Sequence, residues 1–102
     1  MDEAKFITLD NCLTILIYTD RSKSTNHMEL FTFYGGNYSS YIDYNGKKRN
    51  IKEGSAHLLE HYVCENTVSG DLLDNLRKYN VLSCNAGTSA FNTSYFFNTV
   101  CN

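Results

Sequence analysis

The sequence contains no proline, so no rigid proline-rich linker or polyproline recognition segment divides it. Low-complexity tracts and internal repeats are also missing, which removes solenoids and repeat arrays from consideration. No apolar run approaches the roughly 20 residues that a membrane-spanning helix needs. Positive charge is not in excess: nine basic residues face eleven acidic ones, for a formal net charge of -2. That balance gives no electrostatic reason to bind nucleic acid or an acidic membrane. The longest basic run, Lys47-Lys48-Arg49, is short enough to read as a solvated loop. The four cysteines, Cys12, Cys64, Cys84 and Cys101, form no C-x-x-C pair, which argues against a cysteine zinc knuckle or a dithiol redox motif. The N-terminus, Met1-Asp2-Glu3-Ala4, is acidic where a secretory signal would be basic. The expectation is a cytoplasmic protein whose cysteines are free thiols.

What is present points to one folded unit. A chain of 102 residues with 42% hydrophobic content suits a single domain, residues 1–102, with a modest core. Phe6-Ile7-Thr8-Leu9 and Leu13-Thr14-Ile15-Leu16-Ile17-Tyr18 read as the two strands of a hairpin, with turn chemistry at Asp10-Asn11. Thr19 to Asn26 is polar and reads as a loop. Met28 to Tyr34 reads as a strand ended by Gly35-Gly36. Asn37 to Lys52 has no helical period and reads as an irregular loop holding a small hairpin at Asn45-Gly46.

A helix is expected from Ala56 to Glu65, capped by Ser55 and closed by Asn66 in a left-handed conformation. A second is expected from Gly70 to Tyr79, with Ser69 as its cap and Leu72, Leu73, Leu76 and Tyr79 on its apolar face. Asn80 stops it. Val81 to Ser89 and Thr93 to Val100 then read as two strands joined by a short turn. The order of strands, helices and strands implies an α+β fold, an antiparallel sheet packed against helices.

The segment that carries chemistry is His57-Leu58-Leu59-Glu60-His61, an H-x-x-E-H match. At about 100° per residue, His61 lies about 40° round the helix from His57, and Glu60 about 60° to the other side. All three side chains fit one face, leaving Leu58 and Leu59 for the core. Two imidazoles one turn apart can grip one zinc ion with bonds of about 2.0–2.1 Å. Zinc lowers the pKa of a bound water to about 7, and a carboxylate beside it can take the proton. The expected roles are zinc ligands for His57 and His61, and general base for Glu60. The plainer alternative is a solvated helix face with two unrelated histidines. The third histidine, His27, lies in a polar loop and reads as a surface residue.

Gly54-Ser55-Ala56-His57-Leu58-Leu59-Glu60-His61 resembles the G-x-A-H-x-x-E-H signature of the insulinase/pitrilysin metallopeptidase family. Leu9-Asp10-Asn11-Cys12-Leu13-Thr14 is similar to that family's opening L-x-N-G-L hairpin, with Cys12 where glycine is usual. Thr67 fits the position soon after the zinc helix. Asn85-Ala86 and Thr88, then Thr93 and Tyr95, resemble its N-A-x-T followed by T-x-Y. Cys64 and Asn66 depart from the pattern, standing where an aromatic and a glycine are common.

The resemblance implies the first half of one such domain, acting as a zinc-dependent endopeptidase unit on peptide substrates. It also implies that Asn85 and Ala86 line an edge strand that binds substrate backbone, a mode by which an extended peptide pairs with open amides and carbonyls. The alternative for Asn85 is to satisfy a turn or bulge.

Two histidines leave zinc short of the third protein ligand of a catalytic site. The resemblance implies a distal glutamate, which at the family's spacing falls beyond Asn102. Glu65 lies on the right face but about 12 Å along the axis from His57, and Glu53 precedes the helix. The expectation is therefore a homo-oligomer or a partner subunit that completes the site, with apolar residues such as Phe96 and Val100 left exposed. The alternative function is a non-catalytic, truncated subunit serving binding or assembly.

Overall fold

The structure, a computed structural model, describes residues 3–101. Its elements in chain order are β1 (Glu3–Thr8), β2 (Thr14–Thr19), β3 (Thr25–Thr32), β4 (Ser40–Ile42), β5 (Lys48–Asn50), α1 (Ser55–Glu65), α2 (Leu72–Arg77), β6 (Val81–Thr88) and β7 (Thr93–Val100). All strand pairs are antiparallel, and the α+β class follows. The sheet that matters for the site has the order β3-β7-β6, so β6 and β3 are its edges. Both helices pack against β6, and α1 also touches β7.

The first hairpin forms as the residue pattern implies, with Phe6 opposite Leu16 and Thr8 opposite Thr14. Its turn is closed by the Cys12 N–H donating to the Leu9 carbonyl at 2.9 Å. The Asn11 Oδ1 accepts from the Leu13 amide at 3.1 Å. Cys12 has φ 68°, a left-handed conformation that costs a residue with a Cβ roughly 1–2 kcal/mol. This is the position at which the resembling family carries glycine. Cys12→Gly should therefore stabilise the hairpin by about 1 kcal/mol. Slowing of β1 and β2 amide exchange by about fivefold would register it, and unchanged exchange would show that the turn is not strained.

The stretch from Thr19 to Asn26, expected as a loop, narrows to a link between β2 and β3, because β3 begins at Thr25. Thr25 pairs with Val100 and Asn26 with Thr99, so a polar segment becomes strand through a partner that lies far along the chain. His27 accordingly sits on this edge strand rather than in a loop. Its Nδ1 lies 2.7 Å from the Asn98 Oδ1 and its Nε2 3.3 Å from Glu29. The Asn98 contact, then Glu29, raises the His27 pKa above its ordinary value.

The hairpin at Asn45-Gly46 is present as β4–β5, with Gly46 at φ 77°. Asp43 organises it, accepting from the Asn45 and Lys47 amides at 3.0 and 2.9 Å and from the Arg49 Nε at 2.8 Å. The Arg49 guanidinium, then the Lys47 amide, holds the Asp43 carboxyl below its usual range. Two of the three basic residues expected in a solvated loop, Lys48 and Arg49, thus lie in β5.

Several helix details differ from the sequence expectation. The N-cap of α1 is Gly54 at φ 81°, with no side-chain cap, and Ser55 is already helical. Asn66 is not left-handed; at φ -121° it closes α1 by donating both its N–H and its Nδ2 to the Tyr62 carbonyl. Asp71, not Ser69, caps α2, its carboxylate accepting the Asp74 amide at 2.9 Å. Reciprocal backbone bonds between Thr67 and Gly70 keep Gly70 out of that helix. Because α2 ends at Arg77, Tyr79 is 76% exposed instead of joining the apolar face. Asn80 does end the segment, at φ 57°.

The larger correction concerns α1. Leu58 and Leu59 do not face the core; they are 71% and 47% exposed. The buried stripe is Ala56, Glu60 and Cys64, spaced by four residues along one face. Small side chains at Ala56 and Cys64 let the helix lie close on the sheet, and Glu60 finds a hydroxyl there. Of the leucines flanking this stripe, Leu58 is largely exposed, and Leu59 is only half covered where it lines a cavity with Tyr34, Thr93 and Tyr95. The accessible surface of 8450 Å² exceeds the about 5800 Å² of a compact chain of this mass. The radius of gyration, 16.5 Å, likewise exceeds the about 13 Å of a compact 100-residue domain. No helix among the described residues is long and apolar enough to cross a membrane.

Candidate metal centre

Helix α1 displays His57 and His61 one turn apart on its exposed surface. Their Nε2 atoms are 3.0 Å from each other, and the rings tilt at 45° with centroids 4.8 Å apart. Two nitrogens bound tetrahedrally at about 2.0–2.1 Å stand roughly 3.4 Å apart, so the observed spacing suits a shared ion. Among the described residues, His57, Glu60 and His61 form a group whose ligand atoms all lie within 4.8 Å of one another. The two ring nitrogens are donors that zinc accepts and their spacing fits it, with the Glu60 carboxylate beside them.

Glu60 occupies a different environment from the histidines. It is 7% exposed, and its Oε2 accepts from the Thr88 hydroxyl at 2.7 Å. Thr88 stands directly opposite Thr93 in the β6–β7 pair, their hydroxyl oxygens 3.4 Å apart. Thr93 in turn donates to the Tyr34 carbonyl at 2.8 Å. Burial raises the pKa of neighbouring Cys64, and the Glu60 charge adds to it. Burial, then Cys64 and Glu60, does the same to the Tyr95 phenol. Cys64 lies buried beneath the helix and does not join the group formed by His57, Glu60 and His61.

Glu65 is not a third ligand on this geometry; its Oε1 lies 3.6 Å from the His61 Nδ1. That is beyond hydrogen-bond length, so Glu65 lies near the far ring nitrogen of His61 without holding it. Glu53 and His27 do not join the group. The resemblance marked Thr88 and Thr93 only as motif positions. Their contact with Glu60 and Tyr34 crosses the fold, and no local pattern signals it.

Asn85 and Ala86 lie on β6, an edge strand among the described elements. The Asn85 Oδ1 accepts the Ala86 amide at 2.9 Å, within a regular stretch of the strand whose only register shift lies between Val81 and Ser83. Three residues along the same strand, Thr88 reaches Glu60, so the strand runs beside the candidate centre. Beside α1, Tyr34, Leu58, Leu59 and Tyr62 line an open trough of about 410 Å³.

Comparisons with protein-family models, with curated proteins and with solved structures gave no match to this chain.

Proposed function

We propose that this chain is a zinc-dependent endopeptidase unit of insulinase/pitrilysin type, acting on extended peptides. The observation that carries the reading is the His57–His61 Nε2 pair at 3.0 Å with the buried Glu60 carboxylate beside it. His57 and His61 hold the metal. Zinc, when bound, supplies a Lewis acid that polarises a carbonyl and acidifies water. Glu60 is the general base, taking a proton on the carboxylate oxygen that Thr88 leaves free and returning it to the leaving amine. Main-chain groups of β6 at Asn85 and Ala86 align the peptide as an added strand. The Asn85 Oδ1 must then release the Ala86 amide for substrate.

The third ligand is a carboxylate from outside the described residues. The exposed leucines of α1, the open trough beside them and the surplus surface favour a further polypeptide surface packed there, whether from the same chain or from a partner. A second reading, a non-catalytic binding subunit, is favoured because no His, Cys, Asp or Glu other than Glu60 joins the two histidines among the described residues.

Glu60→Gln separates the two. On the peptidase reading it lowers peptide hydrolysis by about 100-fold or more, while zinc content by metal analysis stays unchanged. Wild-type protein that binds zinc, with every partner present, yet cleaves no peptide would select the binding subunit.

A further inference from the structure

We infer, on the metal-centre reading above, that Thr88 is a positioning residue that holds Glu60 beside the metal and off it. A zinc ion with only two histidines draws in any mobile carboxylate nearby, and Glu60 is the nearest. If Glu60 became a ligand it could no longer serve as a base. Something must hold it back.

The hydrogen-bond chain does this with a fixed direction. A threonine hydroxyl has one proton to donate. Thr93 gives its proton to the Tyr34 carbonyl at 2.8 Å, so it has none for Thr88. An ionised carboxylate only accepts, so Thr88 must give its proton to the Glu60 Oε2, at 2.7 Å. Charge-assisted bonds of this kind are among the stronger ones in proteins. No other side-chain or amide donor among the described residues is bonded to Glu60. One oxygen is thus anchored to the sheet, and the other is left for the metal centre. Both threonines are rigid at the Cβ, and their backbones are registered opposite each other where β6 and β7 meet. The anchor therefore belongs to the sheet, while the histidines belong to the helix.

The test is zinc affinity by chelator competition, joined to the visible spectrum of the cobalt-loaded protein. Thr88→Val frees the carboxylate to join the metal. Zinc should bind about tenfold tighter, within the range by which outer groups tune metal sites, and the cobalt bands should shift. Adding Glu60→Gln to that variant should remove the gain. Thr88→Ser keeps the donor and should match wild type in both readouts. Unchanged affinity and spectrum in a folded Thr88→Val would overturn the inference. If that variant does not fold, Glu60→Gln alone decides: a loss of zinc affinity within about threefold supports the inference, and a loss of tenfold or more shows that Glu60 is already a ligand and refutes it. His57→Ala, measured alongside, tells the two failures apart. If it leaves zinc affinity unchanged, the metal centre itself is wrong and the role of Thr88 falls with it.

Discussion

Replacing His57 with alanine should abolish tight zinc binding while leaving α1 helical. A structural zinc site with four ligands is worth roughly 10–16 kcal/mol, or about 3 kcal/mol per ligand, and losing one ligand costs about 100-fold in affinity. On the proposed reading the loss should be at least that, because His57 is one of just two histidines in the site and their Nε2 atoms converge at 3.0 Å. The helix should survive because His57 is exposed and its ring contacts His61 rather than the core. Alanine is also the better helix former. Chelator competition and circular dichroism measure the two halves. Wild-type affinity in the variant would remove the metal centre and the peptidase reading together.

Gly35→Ala should produce the largest loss of stability of any single methyl added to this chain. Gly35 is buried, and a Cβ there would lie 2.5 Å from the Ser89 carbonyl oxygen and 2.6 Å from the amide nitrogens of Phe91 and Asn92. All three atoms belong to the backbone of the β6–β7 turn, which cannot yield as a side-chain tip can. Overpacking of this severity costs about 3 kcal/mol, enough to lower the midpoint of thermal unfolding by on the order of 15 °C. Gly36→Ala is the internal control. Its added methyl would come no closer than 3.7 Å to the Ser89 oxygen, and Gly36 keeps the N–H that it donates there at 2.8 Å. Equal melting of the two variants would show that the close approach is not real. The consequence reaches the site as well. Tyr34, next to Gly35, accepts from Thr93, and Thr88 at the same turn holds Glu60. Pushing the turn away should loosen the carboxylate before the whole sheet unfolds.

How much was legible depended on the range of the forces involved. The two tight hairpins, the strands β6 and β7, and the helix bearing the histidines all follow from short-range rules. Asn45-Gly46 tolerates the left-handed turn, and alternation marks a strand. The H-x-x-E-H spacing puts His57 and His61 on neighbouring turns whatever surrounds them, so helix geometry alone brought the two side chains within reach of each other. By contrast, Leu58 and Leu59 read as core residues, since hydrophobicity names what prefers burial without saying whether a partner surface exists. The helix instead buries Ala56, Glu60 and Cys64, because a carboxylate with a hydroxyl partner and two small side chains fit the sheet closely. Thr25 and Asn26 read as loop for the same reason, their strand character coming from β7.

The amino-acid order by itself therefore determined most of the elements, though not all of their bounds, and the histidine pair, because a helix repeats its own geometry from residue to residue. Only the tertiary structure decided that Glu60 is buried, that Thr88 holds it from 28 residues away, and that the leucines of α1 are exposed. Those outcomes depend on which surfaces the folded chain brings into contact, and local sequence carries no record of that.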